Sequence, residues 1–292
     1  MAVFFKKWRQ RRNAIRKFVR LFQPMGQFVP DDIFIVGYPK SGNTWFQDLV
    51  TMVIYGVPPA LAPPLLAQTL VPDVHSRTFF QRYFTPMFFK SHFLPRPEYR
   101  RVVYLLRDGR DAMVSQYHHC RAFHDSVDFM KLVRDETQLP HGAWHKHVDA
   151  WLANPFQAEM LVIKYEDLKQ DPVTELERFC AFAEMERDHS LLELVARETV
   201  FAKMQRREML LGEGDLEWPK DRLFRRRGVV GSYKDEMPAG VLAAFMADAA
   251  DTLRGCGYLE ETPAMSTSRP VPTLKVERVP DELTLANQLD AA

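Results

Sequence analysis

The sequence predicts an α/β domain with a central parallel sheet and helices on both of its faces. Short apolar runs alternate along the chain with segments in which apolar residues recur at helical spacing. That alternation is typical of parallel sheets covered on both sides, and most of the apolar runs are nearly uninterrupted, as in strands buried on both faces. With 292 residues, of which 46% are hydrophobic and 26% charged, the chain is long enough to bury a sizeable core.

The pattern predicts four strands and four helices. The predicted strands are 33–37, 87–92, 101–106 and 160–165. The predicted helices are 45–55, 110–123, 143–152 and 173–183. The proline-rich segment 57–72 is predicted to be a long loop, and 205–227 to be charged and irregular. Residues 31–260 form the predicted domain, between a basic segment, 1–30, and a polar extension, 261–292.

The basic charge is concentrated at the N-terminus. Residues 1–30 contain eight basic residues and no acidic one, although the whole chain has a net charge of only +1. That overall balance does not indicate a nucleic-acid-binding protein. Apolar residues from Phe4 to Phe22 fall at helical spacing, which predicts an amphipathic helix ended by Pro24. Three roles stay open for it: packing on the domain, peripheral contact of residues 1–22 with an anionic membrane surface, and organelle targeting.

The cysteine content favours a reducing, cytoplasmic setting. The three cysteines, Cys120, Cys180 and Cys256, are widely spaced and form no Cys-x-x-Cys pair. This predicts free thiols instead of a disulfide framework or a structural zinc site. No apolar run approaches the roughly 18–20 residues that a membrane span needs, and the N-terminus lacks the apolar core of a signal peptide.

The first candidate site is the loop 38–44, between a predicted strand and a predicted helix. Ligands of open α/β sheets bind beyond the carboxyl ends of the strands, and Gly37 and Gly42 allow the backbone to approach them closely. Amide groups at the start of the helix favour an anion, to which Lys40 adds a full charge. The lysine precedes the last glycine of the loop instead of following it, so the loop is not the magnesium-triphosphate P-loop. An ordinary tight turn is the alternative.

Two further segments carry candidate anion ligands. Arg107 follows the predicted strand 101–106, and Ser115 lies about two helical turns later. The segment 224–234, FRRRGVVGSYK, adds a cluster of arginines, for which a basic surface loop is the alternative. Anion sites at neighbouring strand ends predict a ligand with two phosphate-like groups that protein cations hold, with no metal ion.

These segments resemble a known family. YPKSGNTW, at 38–45, is similar to the 5′-phosphosulfate-binding motif of sulfotransferases that use 3′-phosphoadenosine 5′-phosphosulfate (PAPS). RDGRDAMVSQYH resembles their 3′-phosphate motif, and RRGVVGSYK their C-terminal phosphate-binding motif. Four further segments match the family in the same order, namely FKSHFLP, GAWHKHVDAW, YEDLKQDP and ETVFAKM. The resemblance therefore spans about residues 33–235. It implies a P-loop-like α/β fold, PAPS as co-substrate and no metal.

The resemblance also implies roles for individual residues. His92 would be the general base, Lys90 would support the transferring sulfuryl group, and Lys40 would stabilise the leaving phosphate. The 5′-phosphosulfate would lie against Lys40, Ser41, Gly42, Asn43 and Thr44. The adenine would be held by Trp45, Tyr165, Thr199 and Phe201. The 3′-phosphate would be held by Arg107, Ser115, Arg226, Arg227 and Gly228.

The acceptor is expected to be a small molecule with a hydroxyl group, or less readily an amine. The proline-rich loop, the aromatic run 79–89, Phe123 and parts of 205–225 are expected to line its pocket, which favours an apolar acceptor. The histidines other than His92 are expected to be surface or structural residues. The family's dimer motif, which contains a Thr-Val pair, has no counterpart in 235–258, so the oligomeric state stays open. A P-loop-type kinase or nucleotide triphosphatase, and a nucleotide-binding module without catalysis, are the alternatives.

Overall fold

The computed structural model describes residues 22–57, 64–212 and 218–260. The predicted extension 261–292 and most of the predicted N-terminal helix lie outside these ranges. Phe22, the last apolar residue of that predicted helix, is in a short strand instead. Phe28 lies within the predicted basic segment 1–30, yet its ring packs 4.8 Å from the ring of Phe34 in the core.

A four-stranded parallel sheet forms the centre, in the order β4-β2-β5-β6. Its strands are β2 (Ile33–Gly37), β4 (Phe88–Ser91), β5 (Arg101–Leu106) and β6 (Glu159–Lys164). A separate antiparallel pair joins β1 (Phe22–Pro24) to β3 (Phe79–Gln81). In the parallel sheet Gly37 lies opposite Leu105, and Leu105 opposite Ile163. The loops that follow these strands therefore begin at one edge, as the predicted fold requires.

Eleven α-helices, α1 to α11, and one 3₁₀ helix, Glu136–Gln138, are described within these ranges. The α-helices are α1 (Asn43–Tyr55), α2 (Pro64–Leu70), α3 (Gly109–Phe123), α4 (Phe129–Arg134), α5 (Trp144–Ala153), α6 (Tyr165–Gln170), α7 (Pro172–Phe182), α8 (His189–Glu198), α9 (Phe201–Leu211), α10 (Tyr233–Glu236) and α11 (Ala239–Gly255). Side-chain capping explains three of the α-helix starts. The carboxylate of Asp108 accepts from the amide of Arg110, that of Asp128 from the amide of Lys131, and that of Asp171 from the amide of Thr174.

Each face of the sheet has its own apolar core. Alternate residues of β2 point to opposite faces, so that Phe34 packs in one core and Ile35 in the other. The first core contains residues of α3, α5 and α11, such as Trp144. The second contains residues of α1, α7 and α8, such as Phe179. Fully burying such a side chain stabilises the fold by about 1.5–3 kcal/mol. The prediction of helices on both faces is confirmed.

Two predictions about irregular segments are wrong. Residues 64–70 of the predicted long loop form α2, which begins at Pro64, because a proline in the first helical turn gives up no intrahelical hydrogen bond. Residues 205–211 of the predicted irregular segment belong to α9. The charged side chains that suggested a loop are partly paired inside the protein: Arg207 binds the buried Asp48 of α1 at 3.2 Å.

The three cysteines, Cys120, Cys180 and Cys256, are free. Among the described residues, every helix falls short of the length and apolar character that crossing a membrane requires.

Candidate active site

A cavity of about 580 Å³ lies beyond the carboxyl edge of the parallel sheet. Its walls include every residue predicted for the site except Ser41, which is buried in the loop beside it. The predicted residues that line it are Lys40, Gly42, Asn43, Thr44, Trp45, Lys90, His92, Arg107, Ser115, Tyr165, Thr199, Phe201, Arg226, Arg227 and Gly228. Strand ends, helix starts and the segment 224–228 thus bring one set of side chains together.

The first loop has the backbone of a close-fitting anion cradle. Lys40 and Gly42 have positive φ angles of 70° and 96°, and α1 begins directly after them. A Cβ atom on Gly42 would lie 2.9 Å from the ring of Tyr165, so the close packing requires glycine there. The hydroxyl of Ser41 is buried and has no hydrogen-bond partner among the described residues. A buried donor of this kind at a helix start suits an anion.

Lys40 is held by a histidine that the sequence did not single out. Its Nζ lies 3.3 Å from Nδ1 of His119 and 4.0 Å from the ring centroid of Phe224. A lysine ammonium can only donate, so Nδ1 of His119 accepts and the ring proton is on Nε2. Burial and the nearby charge of Lys40 lower the pKa of His119 to about 3, so the ring is neutral at neutral pH. One signal was available: His119 follows Ser115 by four residues, which places both on one face of α3.

Arg107 belongs to the second predicted motif and contacts the other two. Its guanidinium donates to the carbonyl oxygen of Lys40 at 2.8 Å and to that of Val229 at 3.4 Å. It also lies 4.4 Å from the ring centroid of Tyr165. Its Nε is buried without a hydrogen-bond partner among the described residues. The motif at the end of β5 therefore contacts both the loop after β2 and the segment after Gly228.

The third motif is fixed in place and is not a freely solvated basic loop. The buried carboxylate of Asp111 accepts from the amides of Gly231 and Tyr233, at 2.7 and 2.9 Å, and from the hydroxyl of Ser232 at 3.2 Å. Gly228 has a φ of +59°, and a Cβ atom there would lie 2.3 Å from the ring of Phe201. This close approach explains the glycine and places the arginines against the cavity.

The two arginines of that motif share one carboxylate. Glu236 contacts Arg226 at 2.5 Å and Arg227 at 2.8 Å, and its Oε2 lies 2.9 Å from Nε2 of His118. Burial raises the pKa of Glu236, but the hydrogen bond and the charge of Arg226 outweigh it, and the net pKa lies below its usual value. Glu236 therefore carries a negative charge at neutral pH and orients both guanidinium groups.

The residues predicted to hold an adenine form one aromatic corner. Nε1 of Trp45 donates to the carbonyl oxygen of Thr199 at 3.1 Å, and the Trp45 ring lies 5.7 Å from the Tyr165 ring at 74°. The hydroxyl of Thr199 donates to the carbonyl oxygen of Val195 at 2.8 Å. Thr199 therefore orients Trp45 through its backbone, while its hydroxyl is used within α8.

His92 is held in one tautomer. Its Nδ1 lies 2.7 Å from the carbonyl oxygen of Gly37. A carbonyl only accepts, so Nδ1 carries the proton, and the lone pair of Nε2 has no hydrogen-bond partner among the described residues. Burial and the charge of Lys90 hold the pKa of His92 well below its usual value, which keeps the ring neutral. Lys90 itself is 3.0 Å from the carboxylate of Asp73.

Several expectations for the surroundings need correction. His119 and His141 line the cavity, although they were expected to be surface or structural residues. The aromatic run 79–89 does not line it: Phe80, Phe88 and Phe89 are buried in the cores. Phe224 alone of the expected aromatic side chains is part of the wall. Among the residues described, no group of three His, Cys, Asp or Glu side chains is placed to hold a metal ion.

Sequence reasoning missed one cation near the site. Lys169 lines the cavity and hydrogen-bonds the carbonyl oxygen of Gly228. It lies one helical turn after Tyr165, a spacing that could have indicated it. Arg225, from the predicted arginine cluster, also lines the cavity, but its partners Asp48, at 3.2 Å, and Glu208, at 3.4 Å, left no local signal in the sequence.

The comparison with protein families decides the identity. The family described as the sulfotransferase domain matches residues 30–257. The chain belongs to this family. It is a sulfotransferase, and the match covers the sheet, the cavity and all three motifs.

Relatives of this sulfotransferase are distant in sequence. Mouse sulfotransferase 1E1 is 23% identical in an alignment of 255 residues that covers 79% of this chain and 86% of the relative. Human sulfotransferase 2B1 is 28% identical in an alignment of 241 residues that covers 74% of this chain and 64% of the relative.

Solved structures share the fold of this sulfotransferase. Mouse sulfotransferase SULT7A1, complexed with PAP, superposes with a TM-score of 0.56 at 21% identity and covers 78% of this chain and 85% of its own. Retinol dehydratase, in complex with androsterone and the inactive cofactor PAP, superposes with a TM-score of 0.58 at 18% identity. The superposition covers 77% of this chain and 81% of retinol dehydratase. The P-loop-like α/β architecture predicted from sequence is confirmed.

The pKa of His119 makes stability depend on pH. Its value is about 3 in the folded protein and about 6.5 in an unfolded chain. The unfolded state therefore binds up to one more proton between these values, and the free energy of unfolding falls as the pH decreases through that window, by up to about 1.4 kcal/mol per unit. We expect His119→Gln to reduce this slope by up to about 1.4 kcal/mol per pH unit, the contribution of one proton. The slope is measured by urea unfolding between pH 7 and 4.5. An unaltered slope in His119→Gln would contradict the assignment.

Proposed function

We propose that this sulfotransferase transfers a sulfuryl group from PAPS to the hydroxyl of a small apolar molecule, with His92 as general base. One observation carries the proposal: a single cavity joins two cation-lined anion sites, an aromatic corner and a neutral histidine whose Nε2 is unprotonated. PAPS has the matching parts, a 5′-phosphosulfate, a 3′-phosphate and an adenine. The presence of PAP in the matched structures of SULT7A1 and retinol dehydratase supports the same donor here.

The residues present fit this donor. Two buried polar atoms, the hydroxyl oxygen of Ser41 and Nε of Arg107, lack hydrogen-bond partners among the described residues and lie in the two anion sites. The loop from Lys40 to Thr44 holds the 5′-phosphosulfate. The 3′-phosphate is held by Arg107, Ser115, Arg226, Arg227 and Gly228. The adenine is held by Trp45, Tyr165, Thr199 and Phe201, with Thr199 acting through the orientation of Trp45.

The transfer is an in-line displacement in which positioning and charge do most of the work. Nε2 of His92 takes the proton of the acceptor hydroxyl as the acceptor oxygen bonds to sulfur. The bond from sulfur to the 5′-phosphate oxygen breaks, and Lys40 compensates the charge that develops on the leaving oxygen. Lys90, held by Asp73 at 3.0 Å, lies beside His92 and supports the sulfuryl group in transit. A general base of this kind typically contributes about 10²–10⁴-fold to the rate.

The acceptor end of the cavity favours an apolar molecule. Pro140, Met204 and Phe224 contribute apolar surface to the cavity wall, and the rings of His92 and His141 are both neutral. The charged Lys90 beside His92 is paired with Asp73. The matched retinol dehydratase has been solved with androsterone and with retinol, which are small molecules. An acceptor of that size with a single reacting hydroxyl suits this cavity better than a charged or polymeric one.

Two substitutions separate the roles of base and counter-charge. We expect His92→Asn to lower single-turnover transfer from labelled PAPS by about 10²–10⁴-fold, while PAP affinity stays within about twofold of wild type. Lys40→Met should lower both transfer and PAP affinity, because this lysine also holds the 5′ anion. Acceptors are screened as a panel of phenols and alcohols, and PAP binding is measured by calorimetry.

Four outcomes would contradict this proposal. Transfer by His92→Asn at the wild-type rate would remove the assigned base. Wild-type binding and turnover in Lys40→Met would remove the role of the first loop. Binding of PAP without transfer to any acceptor would favour a nucleotide-binding module. Activity abolished by a chelator would favour a metal-dependent kinase, because the proposed mechanism uses no metal ion.

We further propose that residues 1–22 contact the cytosolic face of an anionic membrane. The support is the sequence pattern alone: eight basic residues, no acidic one and apolar residues at helical spacing. Each basic residue near such a surface contributes about 1 kcal/mol. We expect the full chain to co-sediment with vesicles containing phosphatidylserine, and to remain in solution with neutral vesicles. Deletion of residues 1–21 should abolish co-sedimentation; equal co-sedimentation by the shortened chain would refute the contact.

A further inference from the structure

Helix α5 donates two hydrogen bonds to the backbone at His92 and Phe93. His147 and Trp151 lie four residues apart on α5, on the same face, and both side chains are almost completely buried. Nε2 of His147 lies 3.1 Å from the carbonyl oxygen of His92, and Nε1 of Trp151 donates to the next carbonyl, that of Phe93, at 3.0 Å. One helix face therefore holds two successive peptide groups at the point where β4 has ended.

The protonation of His147 follows from its partners. The carbonyl of His92 can only accept, so Nε2 of His147 must carry a proton. Burial lowers the pKa of His147 to about 4, so the ring is neutral and its Nδ1 is unprotonated. The hydroxyl of Tyr104, 3.0 Å from Nδ1, is therefore the donor of that bond. Tyr104 is on β5, in the middle of the sheet, and its side chain is fully buried. A chain of hydrogen bonds thus runs from the sheet through His147 to the backbone of His92.

His92 is held at three points in all. Its ring Nδ1 donates to Gly37 at 2.7 Å, its carbonyl accepts from His147, and its amide donates to Nε2 of His75 at 2.8 Å. With the ring and both peptide groups fixed, the unprotonated Nε2 has a defined position relative to the cavity. A misplacement of about 1 Å at such a group can cost about 10²-fold in rate.

We propose that His147 is a positioning residue for the sulfuryl transfer, fixing the peptide of His92 and thereby the direction of its basic Nε2. His147 does not line the cavity, so it acts through His92 and not on the substrates. The role accounts for the segment GAWHKHVDAW, whose buried histidine and second tryptophan are the two donors of α5. The inference deepens the proposed function and depends on it for its kinetic readout.

The first test compares three substitutions. His147→Gln keeps a neutral N–H donor near the position of Nε2, whereas His147→Leu removes it. Val148→Ala leaves a void in the same core and removes neither donor, so it is the matched control for a general loss of packing. We expect His147→Leu to lower kcat by at least about tenfold with PAP affinity within twofold, and His147→Gln to stay within threefold of wild type. Val148→Ala should lose stability but keep most of its kcat.

Two results of this comparison would overturn the positioning role of His147. The first is a wild-type kcat in His147→Leu. The second is a kcat that falls in proportion to the free energy of unfolding across all three variants, because His147 would then be an ordinary core residue. If His147→Leu does not fold, Tyr104→Phe carries the test, since it leaves the ring in place and removes the group that fixes its tautomer. We expect a severalfold loss of kcat in Tyr104→Phe, and an unchanged value would overturn the proposal.

A second readout needs no acceptor and is independent of the proposed reaction. Imidazole ¹⁵N chemical shifts distinguish the two neutral tautomers, and the signals of His92 are identified by their loss in His92→Asn. We expect the Nδ1-protonated form of His92 in wild type and in His147→Gln, and a mixture of tautomers in His147→Leu. If His147→Leu keeps the single wild-type tautomer of His92, the positioning role of His147 is overturned, whether or not transfer is detected. If the expected mixture of tautomers appears but the wild type transfers no sulfuryl group, the positioning role stands and the proposed reaction is refuted.

Discussion

The contacts of Arg107 are the interaction on which the rest of the site depends. Its guanidinium reaches the loop after β2 through the carbonyl oxygen of Lys40 and the C-terminal motif through that of Val229. The ring of Tyr165, at the end of β6, lies against the same group. Three separate segments thus meet around one planar cation whose fork of donors suits both carbonyl groups and phosphate. Without it, the two anion sites would have no fixed separation.

The parallel sheet makes this convergence possible, and buried side chains make it precise. Strands that end in register place Gly37, Arg107 and Tyr165 at one edge. Beyond that edge the backbone is irregular, so its path has to be fixed by side chains. Asp111 fixes the segment from Gly231 to Tyr233, and His147 and Trp151 fix the segment at residues 92 and 93. In each case a buried acceptor or donor is satisfied by backbone, so the positions of the cavity residues follow from hydrogen bonding in a dry environment.

The parts of the fold that depend on local pattern were predictable. Uninterrupted apolar runs identify buried strands, and small residues with a cation directly after them identify loops that hold anions. For the same reason nearly all the predicted site residues line the cavity. The contacts that depend on distant partners were not predictable: Asp48 binds Arg207 and Arg225, which lie 159 and 177 residues later in the chain. Glu236 lies closer to Arg226 and Arg227 in sequence, but the segment between them has no regular spacing that would indicate the contacts. Charged residues of α9 suggested a loop because their buried partners lie far away in sequence.

The central claim, that Arg107 sets the second anion site, is tested most directly by the selectivity for a 3′-phosphate. The measurement is the ratio of the dissociation constants of adenosine 5′-monophosphate and PAP, obtained by calorimetry for wild type and for Arg107→Lys, which keeps the charge and loses the planar fork. We expect the wild type to bind PAP far more tightly than adenosine 5′-monophosphate, and the ratio to decrease by about tenfold or more in Arg107→Lys. His92→Asn, which leaves the anion sites intact, should keep the wild-type ratio. A ratio unchanged in Arg107→Lys would contradict the account.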